Sequence, residues 1–101
     1  MKYHLKYSNE SINDIVKVYN GVLEASKDKN IANKYIDDLL KSISSKKDFP
    51  YSTPIIECFG IKTAIHHFTF KAYKVFYYVE NDEIQILRIL LAKSDFMKEL
   101  M

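Results

Sequence analysis

Both prolines of this 101-residue chain, Pro50 and Pro54, lie in one six-residue stretch, Phe49-Pro50-Tyr51-Ser52-Thr53-Pro54. Neither a helix nor a central strand continues through such a stretch, because proline lacks the N–H and fixes φ. The hydrophobic period differs on its two sides. Before it, apolar residues recur at three- and four-residue steps; from Ile61 onward they follow the pattern of strands. A chain divided in this way places its helices in one half and most of its strands in the other, which is an α+β arrangement.

The first residues are the exception. Lys2 to Tyr7 alternates, with Tyr3, Leu5 and Tyr7 on one side and Lys2, His4 and Lys6 on the other, the period of a half-buried strand. Ser8 can cap a helix, with Glu10 in its positive first turn. Ile12, Ile15, Val16, Tyr19, Val22 and Leu23 then define one apolar face. The helix is expected to pass through Asn20-Gly21, with room for a bend. After the polar break Lys27-Asp28-Lys29-Asn30, a second helix is expected from about Ile31 to Ser45. Its buried face is Ala32, Tyr35, Ile36, Leu39 and Ile43, and Asp37 and Lys41 are spaced to pair. So short a break implies an antiparallel helix hairpin. Three strand regions follow, Ile61–Phe70, Lys74–Glu80 and Glu83–Leu91, the last two joined by the turn residues Asn81-Asp82. Ile86–Leu91 reads as buried on both faces, and Ser94–Met101 as a tail able to form a helical turn. The expected fold is a single α+β domain over residues 1–101. It has an N-terminal strand, an antiparallel helix hairpin, and three antiparallel strands in one sheet with the helices on one face.

Composition narrows the function classes. Apolar residues make up 48% and charged residues 28%, the balance of a folded chain, and eight Tyr and six Phe supply large units of buried area. The formal net charge of +2 permits a polyanionic partner without arguing for one. The one cysteine, Cys58, can form no intramolecular disulfide and has no activating context, so a reducing, cytoplasmic location is expected. No apolar run approaches the roughly 20 residues that span a bilayer, and Met1–Lys6 lacks the apolar block of a signal peptide. No membrane association is expected.

The order of elements, at this length, resembles the RelE/ParE superfamily of toxins from type II toxin–antitoxin systems. Tyr7-Ser8-Asn9-Glu10 is similar to the family's opening, and Phe49-Pro50-Tyr51-Ser52 to its inter-element loop. The stretch from Lys71 to Glu80, Lys-Ala-Tyr-Lys-Val-Phe-Tyr-Tyr-Val-Glu, is followed by a hairpin and then Ile86-Leu87-Arg88-Ile89-Leu90. Together with Asp95-Phe96 and Glu99-Leu100, these match the family's strand and tail spacing across nearly the whole chain. One departure stands out. Where many members carry His or Tyr after the Arg-Ile-Leu step, this chain has Leu91, which can neither transfer a proton nor hydrogen-bond.

The resemblance implies growth arrest in bacteria by one of two routes. RelE-like members cleave mRNA on the ribosome, using the 2′-hydroxyl as nucleophile. That chemistry needs a base, cations for the phosphate and an acid, and no metal or other cofactor. On this reading Arg88, Lys71 and His66 are the candidate catalytic residues, and Lys62, Tyr73, Lys74 and Lys93 the candidate nucleic-acid contacts. ParE-like members bind and block DNA gyrase without catalytic residues, and Leu91 leans toward that branch. A decayed toxin that keeps only antitoxin binding is a third possibility.

Each candidate also has a plainer reading. Arg88, the only arginine, sits in an apolar strand and is either a phosphate ligand or the partner of a carboxylate such as Glu80 or Glu57. The lysines suit solvated strand edges equally well. His66 and His67 point to opposite faces, so they do not chelate one metal, and at most one faces a site. Tyr73 precedes its strand and is the tyrosine best placed to reach a site, whereas Tyr77 and Tyr78 are split between core and surface. All versions imply a cognate antitoxin. The exposed side of the helix pair and the edges of the sheet are its expected docking surface.

Overall fold

The computed structural model describes residues 3–93. The chain runs β1 (His4–Tyr7), α1 (Asn9–Ser26), α2 (Lys29–Ser44), a 3₁₀ turn (Ser45–Lys47), β2 (Ile55–Cys58), β3 (Ile61–Phe70), β4 (Tyr73–Glu80) and β5 (Glu83–Leu91). The strands form one sheet in the order β1-β5-β4-β3-β2. β1 runs parallel to β5, and the other neighbours are antiparallel. Parallel neighbours cannot be joined by a tight turn. The helix pair therefore belongs to the long connection between them, and α1 packs on β5. The C-terminal tail from Ser94 lies outside the described residues, as does Lys2 at the start of the first strand.

The sheet has one strand more than the periodicity announced. β2, Ile55-Ile56-Glu57-Cys58, is only four residues long, does not alternate and follows directly on Pro54. It becomes a strand because the turn Phe59-Gly60 folds it back on β3, with Cys58 opposite Ile61 and Glu57 opposite Lys62. Two-residue turns also join β3 to β4, at Lys71-Ala72, and β4 to β5, at Asn81-Asp82. The first residue of each takes a positive φ.

Ser8 caps α1 with its side chain accepting from the Ser11 N–H, and α1 continues unbroken through Asn20-Gly21. The helix ends at Lys27, whose left-handed φ of 60° lets its N–H reach the Leu23 carbonyl. Asp28 at once caps α2 through the Asn30 N–H. A joint of only two residues, Lys27-Asp28, thus closes the helix hairpin. On α2 the expected face is the buried one: Ala32, Leu39 and Ile43 are fully enclosed, with Tyr35 and Ile36 half-buried. The ion pair along α2 joins Lys34 to Asp38, not Asp37 to Lys41.

The phase of α1 differs in part from the expectation. Ser11, Asp14 and Val18 are the buried residues, with Ile15 and Val22 of the expected face packed against the core beside them, whereas Ile12 and Val16 are 49% and 52% exposed. The helix carries two apolar stripes, and polar contacts choose between them. Ser8 and Asp14 both bond to β5, which turns the line through Ser11, Asp14 and Val18 toward the sheet.

The core lies between the helices and one face of the sheet. Val18, Leu39 and Ile43 meet Val75, Tyr77, Ile84, Ile86 and Ile89. The pairing of β4 with β5 slips between Phe76 and Tyr77, where Phe76 faces Arg88 and Tyr77 faces Ile86. The extra residue, Leu87, is a bulge. It changes the alternation of β5, so that Ile84, Ile86 and Ile89 all join one core despite their odd spacing. The run therefore is not buried on both faces along its length: Leu87 and Leu90 are half-buried and Leu91 is exposed.

Tyr77 anchors the loop that follows α2. Its hydroxyl donates to the Pro50 carbonyl at 2.6 Å. The Thr53 hydroxyl, 2.7 Å from the same oxygen, must then donate to it. With that proton used, His66 Nδ1 carries the hydrogen given to the Thr53 carbonyl at 2.9 Å. The direction of every bond follows from the carbonyls, which only accept. Burial raises the Tyr77 pKa above its ordinary 10.0, against a smaller lowering by Thr53. The neutral phenol is therefore favoured in the folded state. Its stabilisation is complete below pH 10 and is lost as pH rises through the folded value. Tyr77→Phe is expected to cost about 1–3 kcal/mol in urea denaturation at neutral pH, the cost of leaving buried polar partners without their donor. The same variant should show a shallower loss of stability above pH 10. An unchanged alkaline slope would mean that Tyr77 does not set it.

Candidate functional site

β1 covers β5 only from Glu83 to Ile86. Beyond that point no strand among the described residues lies beside that edge of β5, and side chains of the first helical turns take the strand's place. Ser8 N donates to the Ile86 carbonyl at 3.0 Å, and Ser8 Oγ to the Leu87 carbonyl at 2.8 Å. Six residues on, the Asp14 carboxylate accepts from the Ile89 N–H at 3.0 Å. It also holds Arg88 in a two-pronged pair, with Nε at 2.7 Å from Oδ2 and Nη2 at 3.1 Å from Oδ1. Asp14 is buried, and the Arg88 side chain is 19% exposed. A planar guanidinium and a carboxylate fit each other in this geometry.

Arg88 is therefore ion-paired, and its partner is Asp14 rather than Glu80 or Glu57. Topology puts both of those out of place. Glu80 sits at the β4–β5 turn opposite Glu83, and Glu57 lies on β2 opposite Lys62. Asp14 was missed because the first apolar stripe of α1 looked like the buried one. The available signal was a carboxylate three residues after Ser11 and four before Val18, on the line that proves to face the sheet.

Between α1 and the outer half of β5 lies a cleft of about 390 Å³. The Asp14–Arg88 pair, Lys17 and Gly21 line it with Tyr73 and Leu91. Tyr73 packs edge-on to Tyr35 at 6.3 Å. Lys71, in the adjoining β3–β4 turn, holds its ammonium 4.7 Å from the Tyr35 ring centre and 5.3 Å from that of Phe70. Arg88 and Tyr73 thus share one cleft, with Lys71 past its end.

The other candidates lie elsewhere. Lys62 is on β3 toward the far edge of the sheet, opposite Glu57. Lys93 is exposed in the turn after β5. His66 is 7% exposed, stacked on Tyr77 at 5.3 Å and bonded to Thr53, on the face that carries the Tyr77 anchor. His67 takes the opposite face, beside Phe76, with Lys74 diagonally across on β4. Burial, then Lys74, then His66 lower the His67 pKa from the usual 6.5. At neutral pH it is an uncharged base next to an ammonium group. Among the described residues, no group of three His, Cys, Asp or Glu is placed to hold a metal ion, and no helix is long and apolar enough to cross a membrane.

No protein-family model matches the sequence, and no curated protein does. A solved structure described as the chromosomal ParDE TA system from P. aeruginosa is similar in fold. Its TM-score is 0.77 over 91% of this chain and 98% of that chain, at 17% sequence identity. The resemblance read from the sequence therefore holds at the level of the fold, which is RelE/ParE-like.

Two outcomes test the site. Arg88→Ala strands a buried carboxylate and should cost about 3–5 kcal/mol, whereas the double replacement Asp14→Leu with Arg88→Met should recover part of that loss, the remainder lying with the Ile89 N–H that loses its acceptor. Additive losses in the double variant would deny the coupling. In a histidine NMR titration, His67 should show a midpoint below 6.5, moving toward 6.5 in Lys74→Ala. Because the depressed value disfavours the protonated form in the fold, His67 should destabilise the protein as pH falls below 6.5, and not above.

Proposed function

We propose that this RelE/ParE-like chain is the toxin of a type II toxin–antitoxin pair, acting in the cytoplasm as one domain over residues 1–101. It acts by binding its target rather than by cutting RNA. The observation that carries this reading is the dispersal of the three candidate catalytic residues. Arg88 is engaged by Asp14, Lys71 lies over Tyr35 and Phe70 past the end of the same cleft, and His66 is bonded to Thr53 away from both. RNA cleavage needs base, acid and phosphate ligands converging within hydrogen-bond reach of one group. Leu91, at the strand end, adds no proton-transfer group. The fold's other known activity, a non-catalytic block of DNA gyrase, asks only for a surface.

The partner in this reading is an antitoxin. Ile12 and Val16 on α1 and Ile31 on α2 leave apolar side chains exposed on the helix pair, which an apolar segment of a partner can cover. A second reading, mRNA cleavage on the ribosome, draws support from His67 and Lys74, a neutral base beside a cation on one face of the sheet.

Induced expression in bacteria separates the two. Growth should stop, mRNA 5′ ends mapped by primer extension should stay unchanged, and the purified chain should inhibit gyrase supercoiling. New 5′ ends that disappear in His67→Gln would instead establish the RNA-cleaving reading. Growth without arrest would reject both.

A further inference from the structure

The exposed large apolar residues fall into distinct regions. Ile12, Val16 and Ile31 are on the helices and Leu91 ends β5, while Phe49, Tyr51, Phe59 and Ile61 all lie between α2 and the start of β3. Within the last group the β2–β3 turn is unusual. Phe59 is 94% exposed, Ile61 beside it is 69% exposed, and Phe59 has a φ of 53°. With Gly60 at 77°, the turn has the two positive φ values of a type I′ hairpin. Asn-Gly is the favoured pair for this turn, and a bulky side chain is disfavoured at its first position. Phe59 thus occupies a strained position and buries almost nothing. Folding alone does not account for it, on either ground.

We propose that the Phe59–Gly60 tip is the anchor by which the chain grips its target, a folded protein with an apolar pocket that takes the Phe59 ring, flanked by Ile61. This rests on the toxin reading above. Charge favours a protein over a polyanion. The hairpin carries one carboxylate and one ammonium, Glu57 and Lys62, directly opposite each other, so it has no surplus positive charge to draw nucleic acid or an anionic membrane. Geometry agrees. A two-residue tip on the outermost strand pair of the sheet projects one aromatic ring on a rigid support, the form of a binding hot spot. It is also remote from the helix surface assigned to the antitoxin, because β2 lies at the far edge of the sheet from β5, on which α1 packs.

The test is Phe59→Asn, which installs the favoured Asn-Gly turn. The variant should melt at a temperature equal to or above wild type. It should also need about 10-fold more inducer, or greater, for the same growth arrest. Arrest at the wild-type inducer level would overturn the proposal. So would lost arrest with a lowered melting temperature, which would make Phe59 a structural residue. Co-sedimentation of the wild type with phosphatidylglycerol vesicles, abolished in Phe59→Asn, would overturn it in favour of a membrane. If the wild type itself does not arrest growth, the toxin reading fails and this proposal with it, a pattern distinct from arrest that persists in the variant.

Discussion

The Asp14 carboxylate accepts from the Ile89 N–H and from two nitrogens of Arg88, and much of the architecture follows from that arrangement. β1 is too short to cover β5, so part of the central strand pair has an edge that must be satisfied in another way. An unpaired backbone N–H in the interior costs as much as a lost hydrogen bond. A helix side chain meets the need here, which fixes the rotation of α1. That rotation puts Val18 into the core and leaves Ile12 and Val16 at the surface. The bulge at Leu87 belongs to the same arrangement. It brings Ile89 back to the core face of β5, two residues after the Leu87 carbonyl that Ser8 holds. An apolar pair in place of Asp14 and Arg88 would avoid the desolvation cost that offsets much of the Coulomb attraction. It could not supply the acceptor for Ile89, and so would not define the register of helix against strand.

The sequence made the frame readable because each element carries a local cause. The Ser8 cap, the alternation of the first strand, the apolar face of α2 and the Asn81-Asp82 turn each depend on neighbours in the chain. What was illegible depends on distant residues. α1 has apolar stripes on two sides, and only contacts with β5, more than seventy residues away, decide which is buried. β2 has no alternation of its own and is a strand only because β3 is there to receive it. From the sequence Arg88 reads equally as a phosphate ligand or as the partner of a carboxylate such as Glu80 or Glu57, and the carboxylate that holds it comes instead from the helix.

The two adjacent histidines show how far one step along a strand changes a side chain's prospects. His66 is drawn into the hydrogen-bond relay from Thr53 through Tyr77 to Pro50, where its ring pins a loop. His67 points to the other face and meets Lys74. Their opposition was plain from the period of a strand. Which of them is tied into structure was not, because the relay needs the loop beyond α2 to return over the sheet. The candidates chosen for their chemistry were dispersed for the same reason. Arg, Lys and His suit phosphate chemistry, and they also suit ion pairs, cation–π contacts and loop clasps.

In the proposed reading, the chain meets its partners through surfaces. The helix side exposes Ile12 and Val16, one turn apart on α1, and Ile31 on α2, which a segment of another chain can cover. The far edge of the sheet has a single ring at a strained tip, which fits a pocket and not a groove. The sheet between them is tied together by satisfied hydrogen bonds, with no buried side-chain polar atom left unpartnered among the described residues. Two unlike surfaces on one rigid support allow one partner to be held without occupying the other's contact. A bound antitoxin would then have to block the target by bulk, or by reaching across the sheet, rather than by filling the same pocket. In the proposed toxin reading, that separation lets each surface change without rebuilding the other.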